Sequence, residues 1–136
     1  MCTIEYKVSG SDVNDHMVME THSYYAFSLR HIYNFLNDLG FSRQKLNSMK
    51  VCFHEQRSHI QIAKPLMFGT KFNIELRIRR LDYDSGSFEI TYTFLNSSNE
   101  RCASIRSECQ IKRMNQNDLI KSASRRIIDQ IHIFSD

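Results

Sequence analysis

The sequence predicts an α+β domain: an antiparallel sheet wrapped around one long helix, followed by a C-terminal helix. Three observations predict it. Three consecutive segments alternate apolar and polar residues with period two, the mark of strands with one covered face. One stretch, residues 23–39, carries apolar residues at helical spacing around most of its girth, so a sheet should cover it. The chain has 136 residues, which suits one core and leaves little room for two.

The first strand covers residues 3–8, where Ile4, Tyr6 and Val8 alternate with Thr3, Glu5 and Lys7. Ser9-Gly10-Ser11 breaks it, and a polar stretch runs on to His22. In the helix of residues 23–39, Tyr25, Leu29, Ile32, Leu36 and Leu39 form the apolar stripe, reinforced by Ala26, Tyr33 and Phe35. Gly40 stands just past the last periodic residue, a common helix stop. Residues 49–62 read as a long strand with a fault. Val51 and Phe53 are apolar at odd positions, Ile60 and Ile62 at even ones, with Glu55 to His59 between. That change of parity calls for a bulge or a bend.

Residues 65–69 turn the chain. Phe72, Ile74, Leu76 and Ile78 form the apolar row of the next strand, and residues 82–86 make a hairpin connection. Phe88, Ile90, Tyr92 and Phe94 supply the following row. A turn at 96–99 leads to the last strand, with Ala103, Ile105, Ser107, Cys109 and Ile111. Residues 118–134 read as a closing helix with Leu119, Ile127, Ile128 and Ile131 as its apolar residues and Asp118 placed to cap it. The expected division is one domain over 1–115 with a helical extension over 116–136.

Composition narrows the function classes. The four cysteines, Cys2, Cys52, Cys102 and Cys109, show no CxxC spacing and read as reduced thiols of a cytoplasmic protein. The formal charge of +3 permits an anionic ligand without demanding one. Arg79-Arg80 and Arg125-Arg126 are too sparse for a nucleic-acid footprint. No window is long and apolar enough for a membrane helix, and the first residues do not form a secretion signal.

The chemistry-bearing region is the loop from Asp12 to His22, with Asp12, Asp15 and Glu20 beside His16 and His22. It precedes the N-terminus of a buried helix, where free N–H groups and the helix dipole favour negative charge. A carbonyl becoming a tetrahedral oxyanion gains most from such donors. A nearby carboxylate could activate water or attack the carbonyl, and His16 could orient the substrate or carry a proton. Such loops also serve simply to cap turns, as Asp12 or Asn14 could do. A metal site of Asp12, His16, Glu20 and His22 fits none of the recognised ligand spacings.

Asp12-Val13-Asn14-Asp15-His16-Met17 fits the pattern D-x-N-x-H-M. This resembles the signature of hot-dog-fold thioesterases of the 4-hydroxybenzoyl-CoA thioesterase-like superfamily, in the branch of carnitine-pathway (betainyl-CoA) and acyl-ACP thioesterases. Tyr24-Tyr25 at the helix start, Leu39-Gly40 at its end and the turn Pro65-Leu66-Met67-Phe68-Gly69 extend the resemblance over residues 3–113. Asp15, Val18 and Pro65 depart from the pattern.

The resemblance implies a homodimer or homotetramer that hydrolyses acyl-coenzyme A (acyl-CoA) or acyl carrier protein thioesters (acyl-ACP) at a subunit interface. No cofactor is implied beyond the coenzyme A of the substrate. Asp12 would be the general base or nucleophile, or would orient the residue that is, Asn14 would position water or thioester, and His16 would assist. Tyr24, Tyr25, His59 and Lys64 would contact substrate, with Lys64, Arg57 and Arg79 as candidates for coenzyme A phosphates. Glu55 and His59 could replace a glutamate that some relatives carry. The Asp12 loop of one subunit would face residues 55–64 of its neighbour. The alternative is a hot-dog protein that binds acyl groups or a protein partner without turnover.

Overall fold

The computed structural model describes residues 4–82 and 86–113. Strand β1 (Glu5–Lys7) leads through a 3-10 turn at Gly10–Asp12 into helix α1 (Thr21–Asp38) and a short helix α2 (Arg43–Met49). Strands β2 (Val51–Ile62), β3 (Lys71–Asp82), β4 (Ser87–Asn96) and β5 (Arg101–Arg113) follow. All five strands form one antiparallel sheet in the order β1-β3-β4-β5-β2. The expected meander is β3-β4-β5. The chain passes from β1 at one edge to β2 at the other by way of the two helices.

The alternating pattern of β4 becomes an alternation of burial. Phe88, Ile90, Tyr92 and Phe94 are buried, and the residues between them are half-buried. Phe72, Ile74 and Ile78 of β3 and Ala103, Ile105, Ser107 and Cys109 of β5 are buried too. Each large apolar side chain taken fully out of water contributes roughly 1.5–3 kcal/mol. The parity fault in the second strand is a bulge. Glu55 pairs with Cys109 and Arg57 with Glu108, which leaves Gln56 as the extra residue.

Helix α1 packs against this sheet through Tyr24, Phe27, His31, Ile32, Phe35 and Leu36. The Tyr24 ring meets Phe94 edge-on at 5.2 Å, and Phe27 meets Phe72 at 5.0 Å. The expected stripe is therefore partly corrected. Leu29 is 54% exposed, Tyr25 is only half-buried, and the buried face is turned toward Tyr24, Phe27 and His31. Two aromatic rings have more surface to bury than Leu29 and Tyr25 could recover. His31 tolerates burial because its Nδ1 lies 2.8 Å from the Tyr6 hydroxyl.

The helix also begins two residues before the expected start. Helix α2 was not expected. Ser42 caps it by accepting the Lys45 N–H at 3.1 Å, and Lys50 ends it in the left-handed region at φ 57°. The expected C-terminal helix over 118–134, its Asp118 cap and the extension over 116–136 lie outside the described residues. Among the described residues no helix is long and apolar enough to cross a membrane.

Candidate active site at the start of helix α1

Residues 13–19 form a miniature hairpin closed by a bridge between Val13 and Met19. Its tip needs a left-handed residue, and Met17 supplies it at φ 65°. Asn14 holds the turn from within. Its side-chain oxygen accepts the N–H groups of His16 at 2.9 Å and Val18 at 3.2 Å. Asp12 holds the preceding turn, its Oδ2 accepting both the N–H and the hydroxyl of Ser9 at 2.9 Å. The Asp12 carbonyl then accepts the Glu20 N–H at 2.9 Å, which fixes where α1 begins.

The segment after β2 braces this hairpin. Met67 bridges Val18, Phe68 donates its N–H to the Met17 carbonyl, and Met19 donates to Leu66. Leu66 donates its own N–H to the buried Tyr24 hydroxyl at 3.0 Å. Burial pushes the Tyr24 phenol up from its ordinary value, and the Leu66 N–H opposes that rise. Gly69, at φ 83°, lets the chain turn into β3.

An open cleft of about 690 Å³ lies at the start of α1, lined by Asn14, Met19, Glu20, Thr21, His22 and Tyr25. No side chain caps the helix there. The Ser23 N–H donates to the Glu20 carbonyl at 3.0 Å, which leaves the N–H groups of Thr21 and His22 available to a ligand, and the dipole makes that ligand's preferred charge negative. Beside them, Glu20 Oε2 lies 3.2 Å from His22 Nδ1. A carboxylate on Nδ1–H fixes the tautomer that presents Nε2 as a proton acceptor.

Of the residues singled out from the sequence, Asn14 and Tyr25 line the cleft. Asp12, in the turn before the hairpin, and His16, in the hairpin, do not line it. Tyr24 is fully buried, with its hydroxyl engaged by Leu66, and so lies behind the cleft wall. His59 is exposed on β2, opposite Arg106, at the sheet edge farthest from β1. Lys64 is paired with Glu100 at 3.0 Å. Glu20 and His22 are the pair that sequence reasoning underweighted. Their one signal is position, since residues just ahead of a helix's apolar stripe face its free N–H groups. Among the described residues, no three histidine, cysteine or carboxylate side chains converge as a metal site.

The architecture defined by this sheet order and this helix is the hot-dog fold. No family model matches the chain, and no curated protein matches it. Solved structures do. A gentisyl-coenzyme A thioesterase superposes with a TM-score of 0.72 at 23% identity, covering 81% of this chain and 88% of that one. A hypothetical protein from Staphylococcus aureus, solved in complex with CoA, gives 0.84 at 13% identity, covering 98% and 85%. A 1,4-dihydroxy-2-naphthoyl-CoA thioesterase from Synechocystis gives 0.77 at 15% identity, covering 87% and 86%. At these identities the likeness is one of fold.

Proposed function

We propose that the protein hydrolyses a coenzyme A thioester in the cleft at the start of α1. The observation that carries this reading is the coincidence of three things in one cleft: uncapped helix N–H groups, a carboxylate-oriented imidazole and the Asn14 side chain. The names of the structural neighbours give the acyl-CoA class its support. The thioester carbonyl oxygen would accept the first N–H groups of α1, which stabilise it as it becomes an oxyanion. His22 Nε2 would take a proton from water as the water oxygen bonds to the carbonyl carbon. The C–S bond then breaks, and the proton on His22 passes to the departing thiolate, leaving free acid and thiol. Asn14 would hold the water or the thioester. Asp12 would act by holding the loop, because its Oδ2 is already engaged by Ser9.

The working form in this reading is a homodimer or a homotetramer built from it. Among the described residues nothing pairs with the outer edge of β2, a strand of 12 residues. An open edge of that length is a template for a second copy. Pairing there would carry His59 and residues 55–64 of a second copy toward the cleft, where His16 also stands free at the hairpin tip. Acyl-CoA and acyl-ACP share the thioester that the cleft would act on, and cytoplasmic supply of either fits the reading.

Thiol release from a panel of acyl-CoA thioesters tests the reaction, and sedimentation tests the assembly. Release that His22→Ala abolishes supports the hydrolase. Binding of acyl-CoA with no thiol released from any substrate overturns it in favour of an acyl-binding module.

A further inference from the structure

The exposed face of α1 carries a second depression beyond the cleft. It lies between α1 and α2, measures about 590 Å³, and is lined in part by Ala26, Leu29, Arg30, Tyr33, Asn34 and Arg43. His22 and Tyr25 of the cleft continue into Ala26, Leu29 and Tyr33 at spacings of three and four. The two depressions therefore share one helix face. From His22 to Arg30 the helix rises about 12 Å.

Both arginines of the groove are held in place by rings. The Arg30 guanidinium lies 5.0 Å from the Phe27 ring centroid, and that of Arg43 lies 4.3 Å from the Tyr33 centroid. A guanidinium over a ring is attracted to its face without using up its N–H groups, which remain for an anion in the fork that suits phosphate. Among the described residues neither arginine is in an ion pair. Two cations that the sequence offers for phosphates are engaged elsewhere: Lys64 is paired with Glu100 at 3.0 Å and Arg79 with Glu89 at 3.3 Å.

We propose that the groove of Arg30 and Arg43 holds the phosphates of a coenzyme A thioester whose acyl end enters the cleft at His22. This rests on the hydrolase reading of that cleft. The pantetheine arm runs along the stripe between them, over Ala26 and the exposed Leu29. A molecule that is anionic at one end and a neutral thioester at the other matches a face that is cationic at one end and offers free N–H groups at the other.

The test compares KM for an acyl-CoA with KM for the phosphate-free N-acetylcysteamine thioester of the same acid. In the wild type the CoA thioester has the lower KM. Arg30→Glu and Arg43→Glu each raise it about tenfold, the loss of one charge-assisted contact, and most of the advantage disappears. Adenosine 3′,5′-bisphosphate, titrated calorimetrically, binds the wild type and not the charge-reversed proteins. Arg30→Gln and Arg43→Gln, milder changes at the same exposed positions, give intermediate values if either reversal disturbs folding. A CoA advantage unaltered by both reversals, or equal bisphosphate binding in all proteins, overturns the proposal. So does loss of assembly with the KM difference intact, which would make the groove a contact between copies. If the wild type hydrolyses neither thioester, the hydrolase reading fails by itself, and the bisphosphate titration still decides the groove.

Discussion

The Tyr24 hydroxyl accepts the Leu66 N–H at 3.0 Å, joining the first turn of α1 to the segment that leaves β2, 42 residues away. Both residues are buried. The bond fixes the wall on which the hairpin of residues 13–19 rests. Tyr24→Phe leaves a backbone donor without a partner in the core, at a cost of about 1–3 kcal/mol. The fall is expected in the midpoint of urea unfolding with the slope unchanged. An unaltered midpoint would show that Leu66 finds another acceptor.

His22→Gln should lower kcat on an acyl-CoA by about 10²–10⁴, the range for loss of a positioned base. Glu20→Gln should cost less, because it removes orientation and leaves the imidazole. Neither change should move stability much. The side chains are 72% and 42% exposed, and ion pairs so placed contribute little. Kinetics and thermal melts on the same preparations check both halves of the statement.

Asn14 separates two roles. Asn14→Ala removes the acceptor for the His16 and Val18 N–H groups, so the hairpin loosens and activity falls at least tenfold. Asn14→Asp keeps an oxygen for both N–H groups while removing the amide donor. Activity retained in Asn14→Asp assigns Asn14 to the turn. Activity lost with the hairpin amide signals unchanged in NMR spectra assigns it to the substrate.

Burial lowers the pKa of His31 from its ordinary value of 6.5. The folded protein thus holds the neutral imidazole against Tyr6, and the unfolded chain takes up a proton first. The resulting stability is present above about pH 6.5 and is lost as the pH falls toward the folded value. The unfolding midpoint of the wild type should drop between pH 7.5 and 5.5. In His31→Gln that drop should shrink, whatever the variant's stability at pH 7.5.

The thiols of Cys102 and Cys109 are buried and free. Burial, with Glu55 nearby, pushes Cys109 up to about 12, and burial also raises Cys102. Since the thiolate is the reactive form, iodoacetamide at pH 8 should leave both residues unmodified until the protein is unfolded. Peptide mapping by mass spectrometry reads this directly. Rapid native alkylation of Cys109 would contradict its place in the core.

Much of the fold was legible because period and parity are local. The row Phe88, Ile90, Tyr92 and Phe94 needed only alternation to be placed on one face, and it is buried. The parity change between Phe53 and Ile60 needed only counting to call for a bulge or a bend, and the structure has the bulge, flanked by Glu55 and Arg57. Leu29 was misplaced because periodicity finds an apolar face without weighing which side chains a sheet will accept. Rings on Phe72 and Phe94 settled that in favour of Phe27 and Tyr24. Helix α2 escaped notice because it has only one buried residue, Leu46, and one residue shows no period.

The sequence by itself determined the sheet-and-helix class and the order of the strands around α1, and it offered the loop ahead of α1 as a candidate place for chemistry. Those follow from spacing along the chain, which every residue carries with it. Only the tertiary structure decided how the loop's side chains divide their work. Asp12 and Asn14 both accept backbone N–H groups of the loop, Asn14 while lining the cleft, and Glu20 and His22 line the cleft as an ion pair. A polar side chain forms whichever hydrogen bond the folded backbone brings within reach, and that depends on where the chain has returned, not on neighbours in sequence.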